Sequence, residues 1–142
     1  MTTKLLLLLL ALVSLSVALI GNTQSAAVRG ILKCNNKPAG GVLVKLYDDD
    51  RGVDADDLMA SGKTNAAGSF EIAGHEDEVT PIDPKLNIYH DCNDGIKPCQ
   101  RKFTIKIPDS YISRGKVARQ VYDAGVIELA GSFPGETRDC LH

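Results

Sequence analysis

The stretch VRGILKCNNKPAGGVLVKLYD, residues 28–48, places two short apolar runs on either side of a turn-rich segment. Residues 28–34 have the composition of a strand. Residues 35–40 are typical of a turn, because proline lacks an N–H donor while Asn and Gly tolerate positive φ. The second run, 42–47, alternates between two faces, one of which carries Val42, Val44 and Leu46. We therefore expect a strand–turn–strand unit near the start of a β-rich domain.

Further short strands follow, separated by similar turn residues. Residues 58–64 and 69–73 are expected to pair as a hairpin across the short connection 65–68. The clearest strand is 103–107, where Phe103, Ile105 and Ile107 alternate with Lys102, Thr104 and Lys106. Strands are also expected at 86–91, 117–122 and 125–130, a loop or frayed helix at 74–84, and a flexible tail at 131–142. Seven to eight strands without a long amphipathic helix predict an all-β fold, an antiparallel β-sandwich of two sheets.

The first residues have the pattern of a secretory signal peptide. Lys4 is the only early charge, residues 5–20 carry none, and small residues follow at positions 21 and 25–27. The uncharged run of 16 residues is shorter than the roughly 20 that a spanning helix needs. We expect residues 1–21 to be a signal peptide, cleaved at a point between 18 and 25. Residues 22–142 should then form one secreted domain without a transmembrane anchor.

All four cysteines, Cys34, Cys92, Cys99 and Cys140, lie in the expected mature domain. An even number in a short secreted chain predicts two disulfides. We favour a local Cys92–Cys99 bridge with Cys34–Cys140. The alternative is that Cys34 and Cys92 pair, because both follow strands that could end at the same pole of the sandwich.

The triplet His90-Asp91-Cys92 could in principle supply a base, an acid and a nucleophile, or ligands for a metal. Disulfide formation removes the thiol from both roles, so we predict neither a catalytic centre nor a metal site here. The acidic segment 48–57 lacks the spaced carboxylates, central Gly and terminal Glu of an EF-hand loop. We expect it to be a solvated loop, and we predict no cofactor.

The charge of the chain argues against a general affinity for nucleic acid, because the formal net charge is -2. Basic side chains nevertheless concentrate in one part of the sequence, at Lys97, Arg101, Lys102, Lys106, Arg114, Lys116 and Arg119. Such side chains can hold a phosphate headgroup through charge-assisted hydrogen bonds. The alternative is the ordinary polar face of a strand followed by a basic loop.

Several ordered motifs resemble the nematode transthyretin-like family of small secreted proteins. They are the opening stretch 28–48, PKLNIYHDC at 84–92, IPDSYISRG at 107–115, and YDAG at 122–125 with Cys140 beyond it. The similarity extends over essentially all of the expected mature domain. It implies a transthyretin-like sandwich of two four-stranded sheets, in agreement with the strand count.

The resemblance also implies a function outside the cell. It suggests a secreted binding protein, possessing no enzymatic activity, that recognises a cell-surface protein or an anionic lipid such as phosphatidylserine. The rival expectation is a small hydrophobic-ligand carrier or a hydrolase on the same fold. Against the hydrolase, the C-terminus lacks the Tyr-Arg-Gly-Ser ending of hydroxyisourate hydrolases, and His75, His90 and His142 do not lie in matching motifs. The sequence leaves the oligomeric state open.

Overall fold

The computed structural model describes residues 3–9, 22–49 and 56–142. The two longer ranges contain ten strands and a short 3-10 helix, Asp109–Tyr111. The strands are β1 (Asn22–Cys34), β2 (Lys37–Pro38), β3 (Leu43–Asp48), β4 (Asp57–Lys63), β5 (Ser69–Glu78), β6 (Pro84–His90), β7 (Gln100–Lys106), β8 (Ser113–Arg114), β9 (Tyr122–Glu128) and β10 (Thr137–Asp139).

The strands form two five-stranded sheets. In sheet A, β1 lies between β5 on one side and β8 and β9 on the other, and it also pairs with β2. Sheet B has the order β10-β7-β6-β3-β4. Every pairing is antiparallel except β1 with β9, which is parallel. The predicted all-β sandwich is confirmed. The three shortest strands, β2, β8 and β10, account for the higher strand count.

The core lies between the two sheets, where the inward faces of the alternating strands meet. The predicted alternation is confirmed for β3, since Val44 and Leu46 are fully buried, and for β7, where Phe103 is 3% exposed. Other core side chains come from both sheets, including Val28, Leu32, Leu86, Ile88 and Leu129. Each such side chain contributes roughly 1.5–3 kcal/mol when it is removed from water.

The central strand of sheet B, β6, is buried on both faces. Leu86 and Ile88 face the core as predicted, whereas Tyr89 points to the opposite face and is still only 2% exposed. The ring of His142 covers it, with the two ring centroids 4.2 Å apart in a stacked arrangement. The C-terminal segment therefore lies over the outer face of sheet B.

Two boundaries differ from the sequence predictions because β1 and β5 form a long ladder. Their pairing runs from Asn22 opposite Glu78 to Ile31 opposite Ser69. Strand β1 therefore begins six residues before the predicted start at position 28, and β5 extends into the segment 74–84 that was predicted as a loop or frayed helix. The small side chains at 25–27 belong to a buried strand, which the sequence pattern did not distinguish from a cleavage region.

Two further element predictions are wrong. Residues 117–121 form a loop beside sheet A rather than a strand, and β9 starts at Tyr122. The C-terminal segment is tied down rather than flexible, because β10 pairs with the edge of β7 through Arg138 opposite Arg101.

The favoured disulfide pairing is also wrong. The structure joins Cys34 to Cys92, with their Cα atoms 5.7 Å apart, and Cys99 to Cys140, with their Cα atoms 4.2 Å apart. Strand register explains both bridges. Cys34 is the last residue of β1 and Cys92 follows β6 at the same end of the sandwich. Asp139 opposite Gln100 places the next residue, Cys140, opposite Cys99.

The N-terminal segment is separate from this core. Residues 3–9 are helical, and Leu6, Leu7, Leu8 and Leu9 are 52–65% exposed. Among the described residues, no helix has the length and apolar character that crossing a bilayer requires.

Candidate functional site

The seven basic residues predicted to bind a ligand do not form one cluster. Lys97, Arg101 and Lys102 lie toward the end of the sandwich that carries the Cys34–Cys92 disulfide. Lys106 is four residues along β7 from Lys102, about 14 Å away at the usual rise of a strand. The remaining three, Arg114, Lys116 and Arg119, lie beside sheet A.

Arg101 makes its polar contacts within the protein. Its side chain is 9% exposed and donates to both carboxylate oxygens of Glu136, at 2.8 and 3.2 Å. It also donates to the carbonyl oxygens of Cys92 at 2.9 Å and Gly131 at 2.6 Å. These bonds leave the guanidinium committed inside the protein, so the prediction that Arg101 contacts a ligand does not fit its surroundings.

The outer face of sheet B carries the other strand lysines. Lys102 is 3.7 Å from Asp139, an ion pair that uses part of its charge within the protein. Lys106 is exposed and has no ion-pair partner among the described residues. Register places Lys45 and Lys63 on the same face, and sequence reasoning missed both because they lie on other strands.

The segment 114–119, which begins at the last residue of β8 and is here called the basic loop, carries three uncommitted cations within six residues. Arg114, Lys116 and Arg119 lack ion-pair partners among the described residues, and Val117 between them is 77% exposed. Two hydrogen bonds fix the loop at its ends. The Gly115 N–H donates to the Thr23 carbonyl oxygen at 2.9 Å, and the Arg119 N–H donates to the Ser113 hydroxyl at 2.9 Å.

A groove runs between this loop and the outer face of sheet A, here called the sheet A groove. It encloses about 370 Å³, at the small end of the roughly 300–1,000 Å³ of ligand pockets. Its apolar lining includes Ala27, Ala73, Val117, Ala118 and Val121, and Lys116 contributes to the same wall. The sequence did not predict the groove, because residues 117–122 were assigned to a strand. The signal that could have indicated it is the small side chains of β1 and β5, such as Ala27 and Ala73, which allow a loop to approach the sheet.

His90 does not form a solvent-facing catalytic pair. It is 2% exposed, and Cys92 beside it is in a disulfide. The His90 Nδ1 accepts a hydrogen bond from the Cys92 N–H at 3.1 Å, while Nε2 is buried without a partner among the described residues. Burial, together with the nearby Arg101 guanidinium, lowers the pKa of His90 below its ordinary value.

The acidic residues gather at the other end of the sandwich. Asp48 is 2% exposed rather than solvated as predicted, and its Oδ1 accepts the Asp83 N–H at 2.8 Å. Carboxylate oxygens of Asp48, Asp57 and Glu78 come within 4.8 Å of one another, which is the kind of oxygen cluster that a hard cation accepts. Such clusters also occur without an ion, so this geometry alone assigns no metal. Residues 50–55 of the predicted acidic loop lie outside the described residues.

The fold, the two disulfides and the arrangement of the sheets define a small transthyretin-like β-sandwich. The model of the transthyretin-like family matches residues 29–108, more than half of the chain. The chain belongs to this family.

Curated relatives from Caenorhabditis elegans extend the match to nearly the full length. Transthyretin-like protein 5 is 82% identical over 137 residues, which cover 96% of this chain and 99% of the relative. Transthyretin-like protein 2 is 52% identical and Transthyretin-like protein 33 is 53% identical, with 89% and 84% of each chain covered respectively. The family resemblance inferred from the motifs is confirmed.

Proposed function

We propose that this protein is a secreted extracellular binding protein that recognises an anionic lipid headgroup, such as that of phosphatidylserine, at a cell surface. Three observations support the secreted, extracellular part of this proposal. They are membership of the transthyretin-like family, the two disulfides, and a leucine-rich N-terminal segment that does not join the core.

The observation that carries the lipid part is the basic loop. A phosphate or carboxylate headgroup needs cationic donors that the protein does not already use. Arg114, Lys116 and Arg119 meet this requirement among the described residues, whereas Arg101 and Lys102 are engaged with Glu136 and Asp139. Val117, 77% exposed between the cations, suits insertion among lipid headgroups.

The expected strength follows from these side chains. A Lys or Arg near an anionic membrane contributes about 1 kcal/mol, so three contribute about 3 kcal/mol. Burying one valine side chain adds roughly 1.5–3 kcal/mol. The sum, about 4.5–6 kcal/mol, corresponds to a dissociation constant between about 40 μM and about 0.5 mM. Such binding is weak and salt-sensitive, and selectivity for one headgroup would require a further contact.

Vesicle sedimentation tests this proposal. The mature protein should sediment with phosphatidylcholine vesicles that contain phosphatidylserine and not with phosphatidylcholine alone, and added salt should weaken the binding. The triple variant Arg114→Gln, Lys116→Gln and Arg119→Gln should lose most of it.

A matched control removes the same charge elsewhere. The variant Lys45→Gln, Lys63→Gln and Lys106→Gln changes three cations on the outer face of sheet B and should bind as the native protein does. Equal recovery of the native protein on both vesicle types would overturn the proposal. Loss of binding in the control variant, alone or to the same extent as in the loop variant, would also overturn the assignment to the basic loop.

A further inference from the structure

The sheet A groove and the basic loop share three residues, Lys116, Val117 and Ala118. All three line the groove and belong to the loop whose cations face solvent. The floor of the groove is made by Ala27 of β1 and Ala73 of β5, which lie opposite each other in the sheet. An apolar slot therefore opens directly beside a group of uncommitted positive charges.

The small floor residues keep this slot open. Ala27 is 4% exposed because it is covered by neighbouring chain, whereas Ala73 on the edge strand is exposed. Larger side chains at either position would fill the space between the sheet and the loop. The other titratable side chains on the rim, Glu71 and His75, lie on β5 across from Lys116.

We infer that the sheet A groove holds the apolar part of a single anionic amphiphile, whose charged head is bound by the basic loop; this inference rests on the proposed function. Charge complementarity selects the anionic head, because Lys116 is in the wall and Arg114 and Arg119 stand at the two ends of the loop. The apolar lining selects a hydrocarbon segment, since a sugar or peptide would leave polar groups unpaired against it.

This arrangement differs from simple adhesion to a charged membrane. Adhesion uses only the exposed cations and Val117, and it requires a lipid surface. A groove that takes hydrocarbon binds a dispersed lipid molecule as well, with no bilayer present. The groove also supplies a contact beyond headgroup charge, which selectivity for one lipid requires.

The test uses dihexanoyl-phosphatidylserine below its critical micelle concentration, with isothermal titration calorimetry on the mature protein. The native protein should bind this dispersed lipid, and dihexanoyl-phosphatidylcholine should bind much more weakly. Ala73→Phe should fill the groove and reduce the affinity about tenfold or more, since each methylene lost from an apolar pocket costs about tenfold. The same variant should still sediment with phosphatidylserine vesicles, because its basic loop is intact.

The control variant, Ser61→Phe, adds the same ring at an exposed position of β4 on the other sheet and should bind the dispersed lipid normally. Circular dichroism and thermal unfolding establish that both variants are folded. If the native protein binds vesicles but not the dispersed lipid, the groove inference is overturned and the proposed function stands. If it binds neither, the proposed function fails. Unchanged affinity in Ala73→Phe, or equal affinity for the phosphatidylcholine analogue, also overturns the inference.

Discussion

Arg101 and Glu136 form a two-point ion pair inside the disulfide end of the sandwich, with N···O distances of 2.8 and 3.2 Å. The same guanidinium caps the carbonyl oxygens of Cys92 and Gly131. Arg101 thereby links β7 to the segment after β6 and to the C-terminal segment. Four of the five N–H donors of this side chain are thus used within the protein, so its main role is to stabilise the fold.

The first prediction follows from this relationship. Arg101→Met should lower the free energy of unfolding by roughly 3–5 kcal/mol, because it leaves Glu136 without its cation in a largely buried position. Lys102→Met is the matched control, and it should cost at most about 1 kcal/mol because its pair with Asp139 is longer and more exposed. Denaturant unfolding measures both. A folded Arg101→Met variant of native stability that no longer bound phosphatidylserine vesicles would return Arg101 to the ligand-binding surface.

Sequence patterns predict features that depend on neighbouring residues, and they do not predict contacts between residues that are far apart along the chain. Alternation along β7 was readable because one face meets the core and the other meets water. The role of Arg101 could not be predicted from the sequence, because its partner Glu136 is 35 residues away along the chain. The run 117–122 carries residues that favour strands, Val117, Val121 and Tyr122. It remains a loop in the structure because the side of β1 is already occupied by β8 and β9.

A second prediction concerns the disulfide pairing, which the sequence left open. Loop-closure entropy does not discriminate well between the pairings. In the chain-entropy model, the bridges separated by 58 and 41 residues together contribute about 8 kcal/mol, and Cys92–Cys99 with Cys34–Cys140 would contribute about 7 kcal/mol. Trypsin leaves Cys92 and Cys99 on one peptide, since Lys97 is followed by Pro98. Cleavage before Asp94 separates them. Mass spectrometry of the unreduced digest should then detect Cys34–Cys92 and Cys99–Cys140 links, and a Cys92–Cys99 link would contradict the structure.

The third prediction is a loss of stability in mild acid caused by His90. Burial lowers the pKa of His90 in the folded protein, so the unfolded chain takes up a proton first as the pH falls below the ordinary histidine pKa of about 6.5. The free energy of unfolding should therefore be unaffected by this residue at higher pH. It should decline from about pH 6.5 down to the lower pKa of the folded state. Denaturant midpoints measured at a series of pH values follow this decline.

His90→Asn is the informative variant for that prediction. The amide oxygen can still accept the Cys92 N–H, but the side chain does not titrate, so the slope of stability against pH in this window should become shallower. His75→Gln on an exposed part of β5 serves as the control and should retain the native slope. An identical slope in His90→Asn and the native protein would show that other groups cause the acid sensitivity.

The last prediction places the N-terminus of the mature protein. Within the expected cleavage range of 18–25, a cut after Ser25 would remove the first four residues of β1 and their pairing with β5 and β8. It would also remove Gln24, whose side chain donates to the Thr80 carbonyl oxygen at 2.9 Å and accepts the Ile82 N–H at 3.0 Å. Without Gln24, the Thr80 carbonyl oxygen and the Ile82 N–H would lose their hydrogen-bond partner, and each buried unpaired group lowers the free energy of unfolding by about 1–3 kcal/mol. N-terminal sequencing of the secreted protein should therefore find a start at or before Asn22. If the secreted protein started at Ala26 and had native stability, the first four residues of β1 would not be needed for the fold.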